Sequence, residues 1–358
     1  MSAVLQSDLI WIEDDPQALL ELSLEQKWGD GLPLIPPTDE RVEAMLAHVP
    51  RQSTDIVIPN TPPKSTIATV ELVAINAVMA GCAPRHLPLL IAALEASADQ
   101  AFNAFGHAAT TAPVASMMIV NGPLRDEMEI DYRASCLGGA AGRGSVTLGR
   151  ALQLCLRNIG GMRAGENTRS VHGQPTRVAG LCFGEWEERT RWPSLAMRRG
   201  FSREDEVVTV HGGMGTTSML DVNTSNDLDL AYLIAKCIAT PMGNLYQPTR
   251  TRGEAVIIIN PMWAERFEKT WPNIAAFQDY LYEHAWQPVD FWPKSAQENL
   301  RDHERVDSKG RVRAAISPDR FQPVVAGGLG NLHLTVLPSW GESEMQSRAT
   351  VRQARQES

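Results

Sequence analysis

Closely spaced cysteines are missing from this sequence of 358 residues. Its five cysteines are Cys82, Cys136, Cys155, Cys182 and Cys237, and no two of them have the short spacing of a redox or zinc-binding pair. An odd number of scattered cysteines excludes a disulfide framework and a cysteine zinc site. The pattern favours a reducing compartment, and we therefore expect a cytoplasmic protein.

Basic clusters and long apolar runs are lacking as well. The formal net charge is −9, and lysine and arginine do not cluster before the extreme C-terminus. This argues against a nucleic-acid-binding protein, because the phosphate backbone demands a concentrated basic face. No apolar run approaches the length that spans a bilayer, and the N-terminal stretch is acidic rather than basic. We expect neither nucleic acid nor a membrane as a partner.

The sequence does contain the ordinary balance of a globular protein, with 43% hydrophobic and 21% charged residues. Because the chain is long for one core, we expect two lobes or one large α/β unit with appendages. The predicted fold class is α/β (or α+β), a mixed sheet covered by helices and built around a helical hairpin. The predicted divisions are an N-terminal arm over residues 1–66, a core lobe over 67–245, a second lobe over 246–340 that completes the sheet, and a mobile tail over 341–358.

The helical hairpin is the clearest local pattern. Apolar residues recur at helical spacing behind Thr69, a predicted N-cap, and Gly81 lies where a left-handed C-cap belongs. Pro84 stops the first helix, and a second apolar helix follows to about Asp99. Cys82 therefore lies in the elbow between two helices.

The elbow position gives Cys82 two readings. Free amide groups at the start of the second helix favour a thiolate, and Arg85 and His86 add positive charge within one turn. On this reading Cys82 is a nucleophile. The alternative is that Cys82 is a small apolar residue that fills a tight turn.

Several apolar runs end in glycines, which is where α/β folds build sites. Strands are predicted at 114–120, 178–183, 207–210 and 255–260 and near residues 324 and 337, and helices at 145–158, 227–239, 263–269 and 274–285. The strand at 207–210 leads into His211, Gly212 and Gly213, and the strand near 324 leads into residues 327–330, which repeat the same glycine pattern.

A second glycine-rich segment follows Cys136 and precedes a helix. Gly138 and Gly139 would let a backbone approach an anion closely, and Arg143 and Ser145 would add donors. The glycine spacing matches neither a P-loop nor a dinucleotide fingerprint. The other reading is that these glycines only permit close packing.

Histidines His107, His172, His211 and His333 lie on predicted loops or strand ends, a placement typical of acid/base groups or ligands. None forms a closely spaced histidine pair, so a metal site would need distant segments. We favour His107 as the acid/base group because its loop follows the cysteine hairpin. A hydrogen-bonded structural role is the alternative for each histidine.

The hairpin segment 70–84 resembles UGSC-type selenoprotein-related proteins, in which a similar domain lies beside or is fused to a small selenocysteine or cysteine module. The resemblance continues through Gly29-Asp30-Gly31-Leu32-Pro33, Asn121-Gly122-Pro123, Cys136-Leu137-Gly138, residues 157–161 and 173–175, and the acidic segment at Glu185. The module itself is not found in this sequence, and Trp186 stands where the family pattern has asparagine. The resemblance implies cysteine-linked redox chemistry or carbon–heteroatom cleavage.

These observations lead to a hypothesis that leans towards an enzyme of small-molecule metabolism, a lyase or an oxidoreductase. We expect this enzyme to perform cysteine-dependent redox chemistry or carbon–heteroatom bond cleavage. Its expected substrate is small, and an anion is a candidate. The predicted catalytic residues are Cys82 as nucleophile or redox thiol, Cys136 as resolving thiol, His107 as acid/base and Asn76 as oxyanion donor. The predicted substrate-binding residues are Gly138, Gly139, Arg143, Ser145, His172, His211, Gly212 and Gly213.

Two alternatives from other classes stay open. One is a metal-dependent hydratase or hydrolase that uses His107, His172, His211 and Glu185. The other is a non-catalytic scaffold subunit whose contact surfaces are the arm and the tryptophans Trp263, Trp271, Trp286 and Trp292. We expect a homo-oligomer, with a second redox subunit as a candidate partner. The sequence does not identify a cofactor.

Overall fold

The computed structural model describes residues 5–138, 142–240, 244–246 and 252–351. Its helices are α1 (Pro16–Glu25), α2 (Asp39–Leu46), α3 (Val70–Ala80), α4 (Leu87–Ser97), α5 (Ala104–Ala109), α6 (Arg143–Asn158), α7 (Thr176–Ala179), α8 (Leu195–Arg198), α9 (Asp227–Ile238), α10 (Pro261–Thr270), α11 (Ile274–His284) and α12 (Lys294–Asp302). Its strands are β1 (Ile56–Thr61), β2 (Thr66–Thr69), β3 (Ala115–Asn121), β4 (Cys182–Gly184), β5 (Val207–Gly213), β6 (Thr217–Leu220), β7 (Ala255–Ile259), β8 (Trp286–Pro288), β9 (Arg311–Arg313), β10 (Phe321–Val325), β11 (His333–Pro338) and β12 (Gln346–Ala349). None of these helices is both long and apolar enough to cross a membrane.

Eight of the strands form two four-stranded sheets, and β1 pairs with β2 and β8 with β9 in two separate two-stranded sheets. Sheet 1 has the order β12-β5-β3-β4, and sheet 2 has the order β10-β7-β11-β6. Each sheet contains one parallel pair, β3 with β4 and β7 with β10, and its other pairs are antiparallel. The mixed α/β fold is therefore confirmed, although two four-stranded sheets stand where one sheet was predicted.

The two sheets pack face to face between outer layers of helices. Because successive strand residues point to opposite faces, Met118 of β3 packs with α3, α4 and α6 while Met117 joins the cluster between the sheets. In sheet 2, Ile257 of β7 packs with α9, α10 and α11, and Ile258 joins the same inter-sheet cluster. The order of layers is helix, sheet, sheet, helix.

The sheets exchange their last strands. After β5 the chain crosses to sheet 2 and pairs β6 with β11, and after β11 it returns to sheet 1 and pairs β12 with β5. The prediction of a mobile tail from residue 341 is therefore wrong for residues 341–351, in which Met345 is buried and β12 is an edge strand. A polar strand is stable there because β5 offers it an unpaired edge. Residues 352–358 lie outside the described residues.

The predicted hairpin is confirmed in detail. Thr69 caps α3 by accepting a hydrogen bond from the Leu72 N–H, and Gly81 ends α3 in the left-handed region at φ 90°. A short 3-10 turn, Pro84–His86, leads into α4. The predicted strand at 178–183 is shorter than expected, since α7 occupies its first residues and β4 begins at Cys182.

The N-terminal arm is fastened to α6 by one ion pair. Arg150 donates to both carboxylate oxygens of Asp30 at 2.8 Å and to the carbonyl oxygens of Leu32 and Pro33. The side chains of Asp30 and Arg150 are 5% and 13% exposed. Burial acts to raise the pKa of Asp30, but the hydrogen bonds and charge of Arg150 outweigh it and hold that pKa below its usual value.

Most of the C-terminal tryptophans belong to the core of sheet 2. Trp263, Trp271 and Trp292 are buried in the cluster beneath α9, α10 and α11. Trp286 is half-buried, with the Lys236 ammonium 3.8 Å from its ring centre. Three of the four tryptophans expected to form the contact surface of a scaffold subunit are therefore core residues, and that prediction is wrong for them.

Candidate functional site

Cys82 lies in the elbow but is not activated there. Its residue is 4% exposed, and burial raises the pKa of the thiol to about 12, against the opposing effects of Thr147 and Arg143. The Arg143 guanidinium donates to the carbonyl oxygens of Gly81 and Cys82, at 2.8 and 3.2 Å. The predicted thiolate is therefore not supported, because loss of water outweighs the nearby positive charge. The alternative, that Cys82 is a small apolar residue that fills a tight turn, fits the structure.

His107 and His211 are buried as neutral imidazoles. His107 Nε2 lies 3.1 Å from Ser343 Oγ, and because that hydroxyl donates to the Phe102 carbonyl, its oxygen accepts from His107. His211 Nε2 donates to the Leu337 carbonyl of sheet 2 at 3.2 Å. Burial lowers the pKa of His107 to about 3 and that of His211 to about 4. Their predicted acid/base and binding roles are not supported, since both rings are sealed from solvent.

The glycine run before α6 packs against backbone. The N–H groups of Gly144 and Ser145 both approach the Glu129 carbonyl, at 3.1 and 3.4 Å, and Ser145 Oγ accepts from the Asp131 N–H at 2.8 Å. A Cβ on Gly144 would overlap the Met128 carbonyl oxygen. The Gly138 N–H, which was expected to face an anion, donates to the Ser135 carbonyl at 3.1 Å. The described amides of this segment therefore already have acceptors, and close packing accounts for this part of the segment.

The remaining predicted residues are scattered. Asn76 donates to the Leu72 carbonyl in its own helix, and His172 is exposed in a turn. A Cβ on Gly212 would press on Ser343 and His107, and one on Gly213 would press on Met117. Gly139 lies outside the described residues. None of these residues shares a pocket with Cys82 in the structure as described.

The metal-binding alternative is not supported by the placement of its residues. Glu185 accepts from the Asn121 side chain and the Leu195 N–H, both at 2.7 Å, and burial raises its pKa. His107 and His211 lie in the interior, and His172 is at the surface. Across the described ranges no three histidine, cysteine, aspartate or glutamate side chains are placed to hold a metal ion.

A pocket lies instead at the carboxyl ends of the parallel strands β7 and β10. This pocket, called the Cys136 pocket below, has a volume of about 330 Å³ and lies between the loop at Cys136 and the glycine loop after β10. Its lining residues are Ser135, Cys136, Leu137, Ile258, Asn260, Ala326, Gly327, Gly328, Gly330, His333, Leu334 and Thr335. This edge of an α/β sheet is where ligands usually bind.

Hydrogen bonds to backbone groups, two of them made by the Asn260 side chain, hold both loops of the Cys136 pocket. Gly327 has φ 104°, and its N–H donates to the Tyr132 carbonyl at 3.0 Å, which joins the glycine loop to the Cys136 loop. Asn260 caps α10 by accepting from the Trp263 N–H and donates to the His333 carbonyl, both at 2.9 Å. The positions of Cys136 and His333 are thus fixed by the sheet rather than by free loops.

A comparison of the two parallel pairs explains why this edge is open. Glu185 N donates to the Val120 carbonyl in sheet 1, as Ala326 N donates to the Ile259 carbonyl in sheet 2. In sheet 1 the following positions hold buried carboxylates, Glu185 and Glu187, that bind Asn121 and fill the edge. In sheet 2 Ala326 and Gly328 stand at the positions of Glu185 and Glu187, and their short or missing side chains leave the pocket.

Cys136 is a protonated thiol at neutral pH. It is 5% exposed, and burial, together with the negative charge of Asp131, raises its pKa to about 12. It belongs to the cluster between the sheets, whereas Cys82 belongs to the cluster on the helix side of sheet 1. The predicted exchange of a disulfide between Cys82 and Cys136 is therefore wrong, because sheet 1 separates the two thiols.

Asn260 is the pocket residue that sequence reasoning missed. It ends an apolar strand and precedes Pro261 at the start of a helix, which is the usual position of an N-cap asparagine. His333 and the glycine loop were recognised as features, but nothing local to them indicated that Cys136 lies opposite.

Comparisons with known proteins add no assignment to this geometry. The resemblance to UGSC-type proteins stays a prediction. No family model matches the chain, and no curated protein matches it.

Proposed function

We propose that this protein is an enzyme of small-molecule metabolism that cleaves a carbon–heteroatom bond of a substrate bound in the Cys136 pocket. The observation that carries the proposal is that one open pocket, at the carboxyl ends of β7 and β10, is lined by both a thiol and an imidazole. Cys136 is the proton donor and His333 is the proton acceptor.

A lyase reaction suits these groups better than thiol redox exchange. Disulfide exchange needs a second thiol, and Cys82 lies on the other side of sheet 1. A thiol whose pKa is raised to about 12 is a proton donor rather than a nucleophile at neutral pH. Of the two chemistries that the family resemblance implies, the single thiol favours cleavage.

The step is a β-elimination in which atoms and charges balance. His333 takes the proton from the substrate carbon, the electron pair of that C–H bond forms the new C=C bond, and the bond to the heteroatom breaks. Cys136 gives its proton to the departing heteroatom and regains one when His333 is deprotonated through solvent. No external oxidant or reductant is required.

The size of the pocket favours a small substrate. A volume of about 330 Å³ is at the lower end of ligand pockets. Arg133, on the same loop as Cys136, is exposed and places its guanidinium over the rings of Tyr132 and Trp186. Arg133 is paired with Asp126 at 3.3 Å and is not among the residues that line the pocket, so a carboxylate on the substrate rests on the anion predicted from the sequence.

Turnover of a defined panel tests the proposal. The panel contains small carboxylates with a hydroxyl, amino or thiol group on the β-carbon, and the new C=C bond is followed by ultraviolet absorbance. We expect Cys136→Ala and His333→Gln each to lower the rate by about 100-fold or more. Cys237→Ser, at a half-buried surface cysteine, is the matched control and should retain full activity. Full activity of Cys136→Ala, or loss of activity only in Cys82→Ala, would overturn the proposal.

A further inference from the structure

A second and larger cavity lies between the N-terminal arm and α3. This arm groove has a volume of about 1050 Å³ and shares no lining residue with the Cys136 pocket. Leu72, Ile75 and Met79 contribute one face of α3, and Trp28 and Trp11 belong to the opposing arm. Trp11 is 93% exposed. Such a continuous apolar surface is unusual without a ligand or partner.

The charges on the arm groove have one sign. Asp8, Asp39 and Glu40 line it, and no lysine, arginine or histidine of the described residues does so. An apolar cavity with a purely acidic edge attracts an occupant that is hydrocarbon at one end and positively charged at the other.

The floor of the groove also offers a hydrogen-bond acceptor. The Asn76 amide donates to the Leu72 carbonyl, so its oxygen faces Asn158 and accepts from the Asn158 amide, both at 2.8 Å. This arrangement leaves the Asn158 side-chain oxygen buried and without a hydrogen-bond partner in the described part of the chain. Asn76 and Asn158 both line the cavity, so this oxygen without a partner lies at its floor.

We propose that the arm groove binds an amphiphilic cation, a hydrocarbon that carries an ammonium group. The face of α3 from Leu72 to Met79 extends over about 10 Å at about 1.5 Å per residue, which is similar to the extended length of an octyl chain. Walls from the arm, α1, β2 and α3 enclose the cavity, as in small-molecule sites. A second copy of this chain is disfavoured, because the acidic residues at 8 and 13–15 that flank its exposed apolar segment 9–12 would meet the same acidic edge.

Three probes with one chain length test this proposal. Octylammonium, octyl glucoside and octanoate, each below its micelle concentration, are titrated against the full chain, and tryptophan fluorescence is recorded. We expect octylammonium to bind at least about tenfold more tightly than octyl glucoside, with octanoate weakest. The Trp28→Phe variant should lose most of the fluorescence change without losing binding, as measured by calorimetry.

Matched variants separate the charge from the cavity. Asp8→Asn with Asp39→Asn and Glu40→Gln should abolish the preference for the cation but leave octyl glucoside binding unchanged. Asp279→Asn, at an exposed acid of α11, is the control and should bind as the unchanged protein does. Ile75→Gln should weaken all three probes, with circular dichroism showing that the chain is folded.

Three results would overturn the proposal. They are equal affinity for all three head groups, no binding of any probe, and a stable dimer that Trp11→Ala dissociates and that excludes octylammonium. The last result would assign the groove to a second copy of the chain.

Discussion

Acid should destabilise this protein through His107 and His211. Below a pH of about 6.5 the unfolded chain binds a proton at each histidine, whereas the folded chain does not until the pH falls to about 3 and about 4. Because the unfolded state then holds more protons, the free energy of unfolding falls as the pH falls. The contribution is fully present above pH 6.5 and is lost progressively below it.

The size of the effect follows from the two pKa values. At a pH of about 5, which is about 1.5 units below the unfolded pKa, each histidine lowers the free energy of unfolding by about 2 kcal/mol relative to neutral pH. Both folded pKa values lie below this pH, so the two together account for about 4 kcal/mol. That is a large fraction of the stability of an ordinary domain.

Urea unfolding followed by tryptophan fluorescence, between about pH 8 and about pH 5, measures this loss. Glutamine can supply a donor in place of Nε2, so His107→Gln with His211→Gln should remove most of the pH dependence while keeping the hydrogen bonds to Ser343 and Leu337. His172→Gln, at an exposed histidine, is the control, and this variant should keep the pH dependence of the unchanged protein. An unchanged slope in the double variant, or ring protons of both histidines that titrate near pH 6.5 by NMR, would refute the reasoning.

Two further predictions concern packing. Asp30→Asn should lower the free energy of unfolding by about 3 kcal/mol, since it leaves the buried Arg150 charge unpaired, and urea unfolding that shows a loss under about 1 kcal/mol would contradict the docking role of the pair. Because the pKa of Asp30 is lowered in the folded state, its contribution is present above the unfolded pKa and is lost as the pH falls through the folded one. Gly144→Ala should lower the free energy of unfolding by about 1–3 kcal/mol, because a Cβ would overlap the Met128 carbonyl. A Cβ at Gly330 would meet open space, so Gly330→Ala should leave the free energy of unfolding almost unchanged. Equal losses of stability for the two glycine variants in thermal unfolding would contradict the close packing of Gly144.

The sequence was a good guide where one local pattern determines the structure. Thr69 and Gly81 mark the ends of α3 because N-caps and left-handed C-caps depend on a few adjacent residues. The long helices and the buried strands follow from apolar periodicity for the same reason. These elements were enough to establish the α/β class.

The chemical state of Cys82 could not be read locally. Its burial depends on α6, whose Arg143 and Thr147 lie more than 60 residues further along the chain and reach back over the elbow. A helix terminus or a nearby cation lowers the pKa of a thiol only when its effect exceeds the loss of water around the thiolate. The local signal was real, but long-range packing outweighed it.

The candidate pocket depends on strand order, which the sequence does not show. Cys136 and His333 come from different halves of the chain and meet because β7 lies between β10 and β11. The edge strand β12 was not predicted for a related reason. Its sequence is polar, and it forms a strand only because it pairs with the edge of β5.

Alkylation of the native protein tests most directly that Cys136, and not Cys82, faces a ligand pocket. Iodoacetamide is applied between about pH 7 and about pH 10, and mass spectrometry then measures the modification rate of each cysteine. With a pKa of about 12, Cys136 should react at a rate that rises about tenfold per pH unit over the whole range, while buried Cys82, Cys155 and Cys182 stay unmodified. Faster modification of Cys82 than of Cys136, or a Cys136 rate that levels off below about pH 9, would contradict the account.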